Sequence, residues 1–479
     1  MAYASTNPFT NEVVKTFPSA TDAEVDAALD RAQAAFPAWR DTPLAERAAI
    51  FHRAADLMRD RADELGKLAT LEMGKLLAEG VTEAKKTVPA IIDWLADTAD
   101  EALRPDVRGQ NAQGNGGAVV TYAAEGIVFS IEPWNVPFYQ AVRGFAPAAI
   151  AGNVVLLKHA SIVPQCAQAI VDLFHEAGLP EGVWQNLYAT HEQADRIIAD
   201  PRIRAVTLTG SDTAGRHVAA RAGQAARRTV LELGGQDAFI VLDDAEPAAA
   251  AQAGVGGRCF NGGQICISPK RMIVLDSVAD EFEATLRATA DAYTVPGDPM
   301  DPATTLAPMS SQSQADTVKE QIARAVAAGA TATELGGAVP DTGAFVPFTL
   351  LTGVTADNPL FHEEIFGPVI MLFRVPDEAA AIDLANDSPF GLSGSVWSTD
   401  PAHAFAVACK VDSGQLGINM PIGSGGPAIP FGGVKDSGYG IELGIEGIRG
   451  FCNIKPVDIP ADYRAEVSSD GAVSVVPAP

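Results

Sequence analysis

Cysteine is scarce in this chain, basic residues are outnumbered, and no apolar run is long enough to cross a bilayer. The five cysteines, Cys166, Cys259, Cys266, Cys409 and Cys452, are odd in number and scattered, which excludes a disulfide framework. Cys259 and Cys266 have no histidine cluster near them, so no metal site is expected. Lys and Arg total 34 against 60 Asp and Glu, a net charge of −26. Nucleic-acid binding needs a basic footprint, which such a chain lacks, and an anionic ligand would need its own local positive site. The most apolar stretch, Gly144 to Leu157, is interrupted by Pro147, Gly152 and Asn153 and falls short of the ~20 residues that span a membrane. The N-terminal segment has no basic region leading into an apolar one, so a cytoplasmic location is expected. Neither a G-x-G-x-x-G fingerprint nor a Walker loop occurs.

What is present is ample for folding. The 479 residues, 47% apolar and 20% charged, are enough for two or three domains with substantial cores. The N-terminal part reads as helices: Thr21 with Glu24 is a capping-box signature, and Thr42 before Pro43 marks a second start. Leu44, Ile50, Phe51, Leu57, Leu65, Leu68 and Leu71 then form a long apolar stripe, which core packing explains. Asn111 to Gly117 reads as a hairpin turn between extended arms. Beyond it, short runs rich in Val, Ile and Leu (126–130, 153–158, 205–209, 238–242 and 271–275) alternate with helical segments. That alternation implies parallel sheet covered on both faces. Ala461 to Pro479 is polar and reads as a loose tail.

Three segments carry chemistry. Cys266 closes Gly262-Gly263-Gln264-Ile265-Cys266, where glycines allow close backbone approach to a ligand. A thiol of this kind is a nucleophile when dipoles or a base lower its pKa, and otherwise an apolar filler. Glu232 opens Glu232-Leu233-Gly234-Gly235 and could serve as a general base or stand as a solvated turn carboxylate. Asn135, in Glu132-Pro133-Trp134-Asn135, could supply an amide to an oxyanion. The turn Thr209-Gly210-Ser211-Asp212-Thr213-Ala214-Gly215 follows a strand and opens a helix, where free amides favour phosphate. Lys158 ends a strand and could reach a ribose hydroxyl or phosphate.

From about Asn7 to Pro456 the chain resembles the aldehyde dehydrogenase superfamily, with seven segments in family order: Pro133-Trp134-Asn135, Lys158, Thr209-Gly210-Ser211, Glu232-Leu233-Gly234-Gly235, Gly263-Gln264-Ile265-Cys266, Glu363-Glu364-Ile365-Phe366-Gly367-Pro368 and Pro430 to Gly438. Leu157-Lys158-His159-Ala160-Ser161 and Phe451 to Lys455 are similar to a short bacterial branch containing many succinate-semialdehyde dehydrogenases. The resemblance implies an α/β architecture: a doubly wound cofactor domain (1–106 and 125–235), a second α/β catalytic domain (236–450) and a β-hairpin oligomerisation arm (107–124 and 451–459), with 460–479 as tail. It implies that Cys266 attacks an aldehyde to give a thiohemiacetal, that Asn135 and the Cys266 N–H hold the oxyanion, and that Glu232 activates water to release the acid. For the cofactor it implies Gly210, Ser211 and Gly215 at the pyrophosphate, Lys158 and Glu364 at the riboses, Phe366 by the nicotinamide, and Trp134 and Leu233 as backbone contacts. The selector of the adenosine ribose falls at Ser161, which cannot repel a 2′-phosphate, so NADP is favoured and NAD tolerated.

For the substrate, the same resemblance places Arg143, eight residues after Asn135, where semialdehyde enzymes carry a carboxylate-gripping Arg. A small ω-carboxylated semialdehyde such as succinate semialdehyde is the leading expectation. Phe260 stands where some relatives have a second basic residue, and the Met420–Pro427 loop is Gly-rich and longer. Both departures leave room for uncharged aromatic or medium-chain aldehydes. A homodimer or homotetramer is expected from the arm; a catalytically silent binding member of the fold is the remaining class of reading.

Overall fold

The computed structural model describes residues 3–421, 426–468 and 471–479. The Thr21–Glu24 capping box forms and starts the helix Asp22–Asp41, which buries Val25, Ala28, Leu29 and Ala32. The next helix, Leu44–Asp60, is not capped by Thr42 as expected: Pro43 takes the cap position. Thr42 instead closes the preceding helix, its N–H donating to the Trp39 carbonyl and its hydroxyl to the Ala38 carbonyl at 2.8 Å. The Thr42 side chain is turned back onto the preceding helix, and the cap position one residue later falls to Pro43, which has no side-chain acceptor.

Two sheets carry the rest. The first has six strands in spatial order Gly438–Tyr439, Arg228–Glu232, Ile203–Thr209, Ile127–Glu132, Val154–His159 and Trp184–Asn186. All but the first pair in parallel, as continuous Val/Ile/Leu runs require when both faces are covered. The strand Ile127–Glu132 has its successor on one side and the later strand Ile203–Thr209 on the other. Strand order therefore reverses there, and a crevice opens beyond the carboxyl ends, the place where doubly wound sheets bind ligands. Register sets four motifs on that rim: Ile131 lies beside Lys158 and Leu208, Glu132 beside His159, and Thr209 beside Glu232.

The second sheet has seven strands in the order Thr331–Leu335, Phe348–Thr352, Val369–Val375, Arg271–Leu275, Ala238–Val241, Gly394–Trp397 and Gly417–Ile418. Only its first pair is antiparallel. The chain then returns. Gly438–Tyr439 pairs with Leu231 and Glu232, and Phe431, Leu443 and Ile448 pack into the core of the first sheet. The last part of the span expected as the second domain thus lies with the first. Gly117–Ala124 sits between Asp106–Arg108 and Cys452–Ile459 in a separate antiparallel sheet, and Asn111 tightens the intervening turn by accepting from the N–H groups of Gln113 and Asn115.

The expected loose tail forms a hairpin instead, Tyr463–Val467 against Val473–Pro477. The alternation of Val473 and Val475 supplies strand propensity, Ala465 packs with Val119 and Ile459, and Tyr463 accepts the Gly116 N–H at 2.8 Å. Of the Met420–Pro427 loop, residues 422–425 lie outside the described residues. Among the described residues no helix is long and apolar enough to cross a membrane, and no cluster of three potential ligands could hold a metal.

Candidate active site

Cys266 leaves a tight turn in which Asn261, Gly262 and Gly263 all have positive φ (53°, 62° and 74°). At Gly263 a Cβ would lie 2.3 Å from the Gly367 carbonyl oxygen, so only glycine fits. Amides pin this turn to the segment that carries Asn135. Asn135 donates through Nδ2 to the Gln264 carbonyl at 3.0 Å and accepts through Oδ1 from Gln140 at 3.1 Å, and Asn261 donates to the Asn135 carbonyl at 2.7 Å. The Gln264 side chain bridges Asn261 and Ser310. Every one of these groups is buried, which fixes the turn against the rim of the first sheet.

Two cavities share Asn135, Gln140 and Cys266 in their walls. One, of about 210 Å³, is lined also by Trp134, Thr209, Gly210, Ser211, Leu233, Glu364 and Phe366. The other, of about 270 Å³, is lined by Tyr139, Arg143, Phe260, Ile265, Ile267 and Phe431, together with Lys75, Glu79 and Glu83. Cys266 therefore stands where the expected cofactor cleft meets a largely apolar chamber. Cys166, Cys259 and Cys452 are buried elsewhere and Cys409 is exposed. Burial pushes the Cys266 thiol up to about 12, with the Arg143 and Lys270 charges pulling against it.

Glu232 is buried and lines neither cavity, although its neighbours Leu233 and Gly234 line the first. Among the described residues, neither of its carboxylate oxygens has a hydrogen-bond partner. Burial holds this carboxyl well above the usual range; Arg143 opposes the shift, while Glu442 and Glu132 add to it.

The remaining cofactor positions divide between two places. Trp134 meets Phe366 edge-on, with ring centroids 5.7 Å apart at 85°. The Ser211 hydroxyl caps the helix Asp212–Gln224 by accepting from Ala214, and a Cβ at Gly215 would lie 2.4 Å from Leu233. Lys158 and Ser161 line a third cavity of about 480 Å³ with Tyr3, Thr190, His191 and Glu192. Burial depresses Lys158 to about 8, and among the described residues no carboxylate forms an ion pair with it. An ammonium desolvated without a counter-charge, facing a cavity of nucleotide size, suits a phosphate.

Arg143 lies in the chamber wall, but its guanidinium is already engaged. Nε is 2.5 Å from the Glu442 carboxylate, one terminal nitrogen donates to Thr209 Oγ1 at 3.0 Å, and the group sits over the rings of Phe431 and Tyr139. The sequence reading missed Gln140, Asn261, Gln264, Lys270 and Glu442. Gln264 stood inside the Gly263–Cys266 motif without a role assigned to it, and Lys270 lies four residues beyond the thiol. Glu442 carried no signal, because it enters only through the returning strand.

This fold and site define an enzyme built on a doubly wound nucleotide-binding sheet, with a thiol at the join of two clefts. The aldehyde dehydrogenase family model matches residues 1–457, and the chain belongs to that family. It is an NAD(P)-dependent oxidoreductase acting on the aldehyde group. It is 45% identical over 455 residues to the NADP-dependent succinate-semialdehyde dehydrogenase of Deinococcus radiodurans, covering 95% of this chain and 94% of that one. The NADP-bound succinic semialdehyde dehydrogenase of Streptococcus pyogenes superposes with a TM-score of 0.92 at 41% identity, covering 96% of this chain and 100% of that one. A salicylaldehyde dehydrogenase of Pseudomonas putida gives 0.90 at 30% identity, covering 96% and 94% respectively.

Proposed function

We propose that the chain oxidises succinate semialdehyde, or a similar ω-carboxylated semialdehyde, to the acid with NADP as the preferred acceptor and NAD tolerated. The observation that carries this reading is the position of Cys266 in the shared wall of the two cavities, one lined by the dinucleotide motifs and the other by Arg143. An aldehyde entering the chamber presents its carbonyl carbon to the Cys266 thiolate. One N–H of the Asn135 amide is held by Gln264; the other, with the Cys266 N–H, stabilises the developing oxyanion. Phe366 would hold the nicotinamide, which when bound would supply the hydride acceptor that lets the Cys266 thiohemiacetal become a thioester. Glu232, whose oxygens have no hydrogen-bond partner among the described residues, turns towards the cavity that Leu233 and Gly234 line and takes a proton from the attacking water. Lys158 and Ser161 receive the adenosine ribose and its 2′-phosphate, and Glu364 the other ribose.

The Deinococcus and Streptococcus relatives, named for this substrate and for NADP, support the same assignment. The engagement of Arg143 by Glu442 favours a second reading, an uncharged aromatic or medium-chain aldehyde held by Tyr139, Phe260 and Phe431. A steady-state screen of aldehydes against both coenzymes separates them. The first reading requires succinate semialdehyde with NADP to give the highest kcat/KM, and benzaldehyde surpassing it would replace that reading with the second. No reduced coenzyme with any aldehyde would return the chain to the silent class. The arm at 107–124 and 451–459, with Ile454 and Val457 exposed on its outer strand, pairs copies into a homodimer or homotetramer in the cytoplasm; light scattering reads the mass.

A further inference from the structure

We propose that Lys270 is a positioning residue that joins the nucleophile's loop to the ribose-binding carboxylate, so that coenzyme held at Glu364 alters the reactivity of Cys266. The inference rests on the roles given above to Cys266 and Glu364.

Lys270 is 1% exposed and directs its ammonium at both sides of the site. It donates to the carbonyl of Cys266 itself at 2.6 Å and to that of Ile265 at 3.2 Å, and the Ser268 carbonyl lies at 3.4 Å. The same nitrogen is 3.3 Å from Glu364 Oε1, which also accepts the Gly235 N–H at 3.0 Å. Glu364 is thus anchored through one oxygen while its side chain remains in the wall of the dinucleotide cleft. One buried cation is shared by the backbone of the thiol-bearing residue and by the carboxylate assigned to a ribose.

Electrostatics give this bridge a direction. A buried ammonium must be compensated by acceptors or anions, and here the acceptors are loop carbonyls while the anions are Glu364 and, nearby, Asp237. Ribose hydroxyls donating to Glu364 draw on the same carboxylate charge that Lys270 faces. The ammonium is then less neutralised by Glu364 and acts more strongly on the Cys266 loop. Lys270 favours the thiolate and Glu364 disfavours it, so both changes push the thiol towards its reactive form. The bridge needs a cation with a compact, flexible end; a methionine of similar length keeps the packing and removes the charge.

The test measures alkylation of Cys266 by iodoacetamide, located by peptide mass mapping, with and without saturating NADP, in the full-length wild type and in Lys270→Met. Wild type is expected to alkylate several-fold faster with coenzyme, and Lys270→Met to lose that ratio and to raise the KM for NADP more than the KM for aldehyde. A double-mutant cycle with Glu364→Gln should be non-additive in coenzyme KM by about fivefold. A merely structural lysine would lower folding stability while leaving the alkylation ratio intact and the cycle additive, and that result overturns the proposal. If Lys270→Met does not fold, Lys270→Arg answers the question: retention of charge with loss of the compact fit should weaken the ratio, and an unchanged ratio overturns it. Full turnover by Cys266→Ser would instead sink the reading of the site, a separate failure.

Discussion

Arg143 and Glu442 form an ion pair across two distant parts of the chain, Nε to carboxylate 2.5 Å, with exposures of 1% and 0%. Arg143 comes from the helix Pro137–Ile150 that follows the Asn135 segment, and Glu442 from the return that adds the edge strand to the first sheet. Thr207 donates to the other Glu442 oxygen at 2.8 Å, so the carboxylate is held on two sides.

Breaking this pair from one side leaves a buried charge uncompensated, whereas removing both sides does not. Arg143→Met is therefore expected to lower unfolding free energy by about 3 kcal/mol, and Arg143→Met with Glu442→Leu to recover most of it. Urea titrations of wild type, the two single variants and the double variant check this. An additive loss in the double variant would show that the two groups do not depend on each other. The same Arg143→Met protein separates the substrate readings: KM for succinate semialdehyde should rise roughly tenfold or more if the guanidinium also meets the substrate carboxylate, and KM for benzaldehyde should not.

Ser161→Glu tests the coenzyme assignment. A carboxylate in the third cavity would face a 2′-phosphate directly, and such like-charge contact costs several kcal/mol, so kcat/KM for NADP should fall about a hundredfold while NAD gains. Because burial brings Lys158 to about 8, the free enzyme loses this cation above that pH. Wild-type kcat/KM for NADP should consequently decline on the alkaline side relative to NAD. Parallel profiles for the two coenzymes would remove Lys158 from phosphate binding.

The base role proposed for Glu232 is tested by separating the two halves of the reaction. Its carboxyl is held well above the usual range by burial and acts as a base only when ionised, so the hydrolytic step should speed up as pH rises. Glu232→Gln should cut kcat by ~10² or more and flatten this pH dependence, yet still release one equivalent of reduced coenzyme per site in a rapid burst. Loss of the burst together with turnover would place Glu232 before the thioester.

The parallel strands, the capping box and the rim motifs were legible because each rests on local pattern: apolar runs, a Thr–Glu spacing, a strand followed by Gly and Ser. The family order of segments then carried Cys266, Asn135 and Glu364 to one place. What the sequence hid was long-range. Nothing near Glu442 signals that it meets Arg143, since the contact depends on the chain returning to an earlier sheet after crossing the second one. Thr42 misled for the opposite reason: two helices end and start within one short segment, and a propensity cannot say which of them takes the hydroxyl. The tail read as loose because Ser468-Ser469-Asp470-Gly471 outweighed the alternation of Val473 and Val475.

Asp237 gives a stability prediction with a definite sign. It is 3% exposed, its Oδ2 has no hydrogen-bond partner among the described residues, and burial lifts its carboxyl from 3.8 to about 7, against the pull of Lys270. An acid whose folded pKa lies above its unfolded value binds more protons folded than unfolded in the interval between them. Stability from this group is therefore present below pH 3.8 and lost as pH rises towards about 7. Asp237→Asn keeps an oxygen to accept from Ser393 but cannot ionise. Relative to wild type it should gain about 4 kcal/mol between acid and neutral pH, levelling off above neutrality. Denaturant midpoints for both proteins at a series of pH values measure the difference, and a gap that does not change with pH would mean that Asp237 titrates alike in the folded and unfolded states, with Lys270 offsetting its burial.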